Sequence, residues 1–209
     1  MTSVFITDAD KPMGKAIAKR LQSEGYEVFT HPANGDAASL KEAIKTAGAI
    51  ALLINNAEPV FERLVFEEID EITFANMMNG VARMAFFAVQ AVHPVMTKNG
   101  GGKIINIASS APVRGMAGGA HFTAAKGSLY SFTRSWAQEL APDNIRVNLV
   151  AADVTTGTAA EDGGSETPLG RPVKIDDIVE TVAFLAGEGG DMISGQEIIV
   201  DGGFTRVGF

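Results

Sequence analysis

Lys126 stands four residues after Phe122 in the segment HFTAAKGSLY (121–130), and in a helix that spacing sets an ammonium one turn from an aromatic ring. A phenol in that place would have its pKa lowered by the ammonium and could pass a proton to an alcohol or carbonyl oxygen. The residue is phenylalanine, which fills the same space without the hydroxyl. Ser109, closing GKIINIAS, places a hydroxyl at a strand end. Two neighbours carry protons of their own. Tyr130 lies on the face of Lys126 but one turn further along, and is expected to pack. His121 points about 100° away from Phe122 and is expected in an exposed or capping position.

A second set of residues follows the first and third apolar runs: Thr7, Asp8, Asp10, Pro12, Met13 and Gly14 in ITDADKPMG, and Asn55, Asn56, Ala57 and Glu58 in INNAE. A glycine-bearing turn between a strand and a helix presents helix amides to an anion. Here Pro12 removes one amide donor. Asp10 is placed to cap the helix, and Asp8, Glu58 and Asp153 add carboxylates. His31, after the second strand, reads as a surface turn residue.

These residues sit among short β-branched runs that alternate with longer helical patterns, the signature of a parallel sheet covered by helices on both faces. Strands are expected at 3–7, 26–30, 50–55, 102–108, 145–150 and 196–200, and helices at 13–25, 37–48, 67–98, 119–140 and 175–187. Only about five residues separate the second strand from the following helix, so the sheet should lack a strand on that side. The expected fold is α/β: a single Rossmann-type doubly wound parallel sheet of about six strands, forming one domain over 1–209. The Gly-rich stretch 155–167 reads as a mobile loop with acidic Glu161 and Asp162.

With 209 residues, 46% of them hydrophobic, the chain can bury one substantial core. A net charge of -8 argues against nucleic acid as a partner. The absence of cysteine excludes disulfides and thiolate metal sites, and no metal site is expected. The opening SVFIT lacks the order of a signal peptide, and no uninterrupted apolar stretch reaches the length of a membrane span. The expectation is a soluble cytoplasmic protein.

From end to end, ITDADKPMG, INNAE, INIASS, FTAAK, IRVNLVAAD, PLGRP and SGQEIIVDGG together resemble the short-chain dehydrogenases/reductases. The resemblance implies an NAD(P)(H) cofactor, an Asn, Ser, Tyr, Lys tetrad for reducing a carbonyl or oxidising an alcohol, and an oligomer. It places Ser109 and Lys126 on the family serine and lysine, Phe122 on the tyrosine and Val81 on the asparagine. Asn79, two residues before Val81, should face elsewhere. In the cofactor turn Thr7 and Gly14 match, while Asp8 and Pro12 stand where the family has glycine. Met13, Asn55, Asn56 and Ala57 fall in cofactor-binding motifs, Glu58 replaces the glycine of NNAG, and Ala152 and Asp153 replace a Pro-Gly pair. The chain is also similar, more weakly, to the halohydrin dehalogenases, which have abandoned the nicotinamide.

The residues support three expectations. First comes a chain that has lost ordinary hydride transfer, binds NAD(P)(H) weakly or not at all, and acts as a binding protein or as the inactive partner of an active paralogue. Second is a residual NAD(P)(H)-dependent oxidoreductase of a small carbonyl or alcohol, with Ser109, Lys126 and a water as proton source. Third is a non-redox lyase or dehalogenase-like enzyme using Ser109 with Asp8, Glu58 and Asp153. A homo-oligomer, dimer or tetramer, built on the helices at 67–98 and 119–140 is expected, with no membrane partner.

Overall fold

The computed structural model describes residues 2–33, 35–151 and 167–207. Among them six strands form one sheet: β1 (Ser3–Ile6), β2 (Glu27–Thr30), β3 (Leu52–Asn55), β4 (Gly102–Ala108), β5 (Ile145–Ala151) and β6 (Glu197–Ile199). All neighbours run parallel, in the order β2-β1-β3-β4-β5-β6. Both faces of a parallel sheet are covered, so its inner strands are apolar almost without interruption: every residue of β1 and β3 is buried. As the short connection predicts, among the described residues no strand lies beyond β2, which is half exposed at the edge.

Helices α1 (Pro12–Ser23) and α2 (Ala37–Ala47) follow the first two strands. Next come α3 (Glu71–Met78), a wide π turn at Asn79–Arg83 and α4 (Met84–Lys98), which run on as one helix. By length and composition alone that helix could cross a membrane, but Ala85, Ala88, Val89, Val92 and Met96 are spent on the core. The helix begins at Asp70, whose carboxylate caps the Thr73 amide at 2.7 Å, a few residues later than the pattern suggests. A short α5 (Ala111–Arg114) precedes α6 (Ala120–Glu139), and α7 (Ile175–Ala186) leads to β6.

The 3.6-residue periodicity of each helix selects its face of the sheet. Leu40 and Ile44 of α2, Val89 and Val92 of α4, and Ala125 and Leu129 of α6 pack with Phe5, Leu53 and Ile104 on one side. Ile17 and Leu21 of α1 pack with Ile178 and Val182 of α7 and with Val4, Ile6 and Ile54 on the other. The two layers bring the carboxyl ends of β1, β3 and β4 to one rim, where an open α/β sheet places its site.

Candidate active site at the carboxyl ends of the strands

A buried polar chain fixes α6 against the sheet. The Asn55 side-chain amide donates to Asn106 Oδ1 at 2.8 Å, Asn106 Nδ2 donates to Thr133 Oγ1 at 2.8 Å, and Thr133 returns its hydroxyl to the Leu129 carbonyl at 2.7 Å. Asn106 and Thr133 were not among the residues singled out from spacing. Their signal was faint: a polar residue inside an apolar strand, and a threonine on the buried stripe of a helix.

With α6 so placed, Lys126 is buried, and its Nζ donates to the Ala57 carbonyl at 2.5 Å and the Ile107 carbonyl at 3.3 Å. Burial pulls its pKa down to about 8, against the pull of Asp8 and Glu58 in the other direction. The Phe122 ring centroid lies 5.9 Å from Nζ, within reach of a cation–π attraction, and Phe61 packs against the same ring at a tilt, 4.6 Å between centroids. Ser109 lies just past β4, its Oγ accepting from the Ala111 amide at 3.0 Å. Tyr130 packs as expected and adds a hydrogen bond to the Ser109 carbonyl at 2.9 Å. Val81 is fully buried in the core, and Asn79 is exposed, facing away as its offset implies.

The turn after β1 holds an anion that the chain itself supplies. Glu58 Oε2 accepts from the Met13 amide at 3.2 Å in the first turn of α1, and from Asn56 Nδ2 at 3.4 Å. Asp8 Oδ2 accepts from the Glu58 amide at 2.9 Å, and Asn56 Nδ2 also donates to the Asp8 carbonyl at 3.1 Å. The Thr7 hydroxyl accepts from the Asn56 amide at 3.0 Å, joining β1 to β3. Asp8 has φ 49 and Ala57 φ 21, so both keep the left-handed backbone that glycine favours. A Cβ on Gly14 would lie 2.6 Å from the Asp8 carbonyl oxygen and 2.7 Å from the Ala9 Cα, which explains why this glycine is kept.

Burial raises the pKa of Asp8 above the ordinary carboxylate value, against the lowering by the Glu58 amide and Lys126. Glu58 is raised by burial too, against its bonds to Asn56 and Met13. Asp8 and Glu58 do converge; Asp153, with Ala152, Glu161 and Asp162, lies outside the described residues.

Three expectations need correction. Asp10 does not cap α1: the N-cap is Lys11, and Asp10 Oδ1 instead accepts from the Ala33 amide at 2.8 Å, pinning the chain after β2. His31 is no surface residue; it is 3% exposed, with Nε2 3.0 Å from the Ser39 hydroxyl, because the short connection folds α2 back over it. His121 is neither exposed nor a cap. It is 2% exposed and lies against Phe61 at 5.6 Å, because the loop after β3 returns to cover the start of α6.

Comparison with known proteins agrees with this architecture. Residues 37–205 match the family model of enoyl-(acyl carrier protein) reductase. The chain is 32% identical over 243 aligned positions to the 3-oxoacyl-(acyl-carrier-protein) reductase FabG of Staphylococcus aureus, covering 96% of this chain and 97% of the relative. A crystal structure of 3-ketoacyl-(acyl-carrier-protein) reductase from Brucella melitensis complexed with NADH superimposes with a TM-score of 0.91 at 26% identity, covering 98% of each chain. A solved dehalogenation enzyme superimposes with a TM-score of 0.86 at 25% identity over 97% of each chain.

These matches overturn the first functional expectation, a chain without hydride transfer serving as a binding protein or inactive partner. That expectation weighed Phe122, Val81 and three carboxylates above the likeness of the whole chain. Membership of this family implies NAD(P)(H) binding, and its members typically oligomerise and bind small molecules. The chain is a member of the short-chain dehydrogenase/reductase superfamily, closely related to the FabG-type 3-oxoacyl-(acyl-carrier-protein) reductases.

Proposed function

We propose that the protein is an NAD(P)(H)-dependent oxidoreductase acting on a small carbonyl or alcohol, with Ser109, Lys126 and a water supplying the proton. The observation that carries this reading is Lys126: an ammonium with its pKa near 8, held by the Ala57 and Ile107 carbonyls at the strand ends of a chain that superimposes on an NADH-bound reductase.

The residues present fit a dinucleotide. The Met13 amide already engages an oxyanion, and the absence of a side chain on Gly14 keeps the α1 turn close to the sheet. Met13, Gly14 and Asn56 would hold the pyrophosphate, and Asn55, Ala57 and Lys126 would face the nicotinamide half. When bound, that cofactor supplies or accepts the hydride. Binding is weak, because Glu58 must first leave the Met13 amide and Pro12 offers no amide in its place.

At the reacting oxygen Ser109 orients the carbonyl or alcohol through its hydroxyl. Lys126 stabilises the developing alkoxide and, with its pKa near 8, exchanges its proton with a water at neutral pH. Phe122 and Phe61 exclude bulk solvent from that side and keep the ammonium in place through the ring face. We further propose a homo-oligomer assembled on α4 and α6, where Phe86, Phe132 and Trp136 form an aromatic cluster with Phe86 exposed.

Titration of NADH and NADPH, followed by nicotinamide fluorescence, tests this reading. Saturable binding that Lys126→Met weakens supports it. No saturation up to millimolar cofactor would remove it.

A further inference from the structure

Outside the strand-end site, Phe66, Glu67, Asp70, Glu71, Phe74 and His121 line a surface cavity of about 510 Å³ between the start of α3 and the start of α6. Among the described residues no lysine or arginine lines it. Its ionised carboxylates can only accept hydrogen bonds. His121 Nδ1 is buried and has no hydrogen-bond partner, and with the ring proton on Nε2 it is an acceptor as well. Asp70 is committed to the Thr73 amide, which leaves Glu67, Glu71 and His121 to a ligand. Phe66 and Phe74 stay 77% and 46% exposed, so both rings offer apolar surface to a ligand.

Acceptors without donors, negative charge without a counter-ion and open aromatic faces together complement one chemical class, an organic ammonium. We propose that this cavity binds a primary ammonium carried on an aromatic or short alkyl body: the N–H groups go to Glu67, Glu71 and His121, and the apolar body lies on Phe66 and Phe74. The site is separate from the reaction centre, since none of Ser109, Phe122 and Lys126 lines it. The proposal therefore goes beyond the oxidoreductase reading and does not depend on it.

Phenethylammonium is titrated calorimetrically into the full chain without nucleotide, alongside phenethyl alcohol and hydrocinnamate, which keep the ring and replace the charge. The ammonium should saturate the protein while the alcohol and the carboxylate do not. Glu67→Gln with Glu71→Gln should weaken it by about tenfold or more at an unchanged Tm. Phe66→Ala, at an exposed side chain that can be removed without opening the core, should weaken it too. Equal binding of the alcohol, or affinity unchanged in both variants, overturns the proposal. So does failure of the ammonium to saturate, including the case in which a second copy covers the face and Phe66→Ala alters sedimentation instead.

Discussion

Glu58 Oε2 sits 3.2 Å from the Met13 amide, so the first turn of α1 binds a carboxylate from the chain itself at the kind of position where a strand–turn–helix unit binds phosphate. The anion site is present and internally occupied. Under the proposed function a dinucleotide and the Glu58 side chain would compete for one amide.

Glu58→Gln keeps the shape of the side chain and removes its charge. It should tighten NADH and NADPH binding by roughly 5-fold or more, the size of one charge–charge repulsion of about 1 kcal/mol at about 4 Å in bulk water. Fluorescence titration of both variants at one pH checks this; an unchanged or weakened affinity would show that Glu58 does not oppose the cofactor.

The raised pKa values of Asp8 and Glu58 give that competition a pH dependence. As pH falls through the raised values the carboxylates take up protons, and the repulsion of a pyrophosphate fades. Cofactor affinity should therefore rise on acidification from neutrality, and the slope should flatten in Glu58→Gln. A wild-type affinity that falls on acidification contradicts this account.

Lys126 makes a prediction of opposite sign about stability. The unfolded chain keeps the lysine proton up to about 10.5, whereas the folded chain releases it from about 8. Between those values the unfolded state binds more protons, so folding gains stability as pH rises. Denaturant midpoints at several pH values across that window should show the gain in the wild type, and Lys126→Met should lack it.

Phe122→Tyr places a phenol where the ring already lies near Nζ. If Lys126 lowers the phenol pKa, turnover with a small carbonyl should rise by roughly 10² or more, the usual contribution of a positioned general acid. The effect belongs to kcat rather than to KM for the cofactor. A rise confined to KM would show that the ring does not face the reacting oxygen.

Thr133→Val cuts the polar chain that joins β3, β4 and α6, leaving a buried Asn106 amide hydrogen without its acceptor. Stability should drop by about 1–3 kcal/mol in chemical denaturation. A loss within experimental error would mean that the chain does not position α6.

Much of this molecule is legible along the chain. Every strand falls within about two residues of its expected place, because apolar runs bounded by Gly, Asn and Asp are local signals. The missing edge strand follows from a loop too short to hold it. Ser109, Phe122 and Lys126 come from the family motifs that the chain resembles, matched residue by residue along one strand and one helix. What spacing does not carry is what folds over what. His31 and His121 look like surface residues until α2 and the loop after β3 cover them, and Asp10 looks like a cap until β2 brings Ala33 within reach. Glu58 reads as an intruding charge, yet it lies 45 residues from the amide it satisfies. The charge of that region depends in turn on burial, which is visible only once the strands are assembled.

The most direct test of the central claim is single-turnover oxidation of NADPH and NADH by the full chain at near-stoichiometric concentration, with a panel of small aldehydes and ketones, followed by nicotinamide absorbance. The account predicts carbonyl-dependent loss of the reduced cofactor, slowed by Ser109→Ala and by Lys126→Met. Absorbance that stays constant with every carbonyl at saturating cofactor would contradict it.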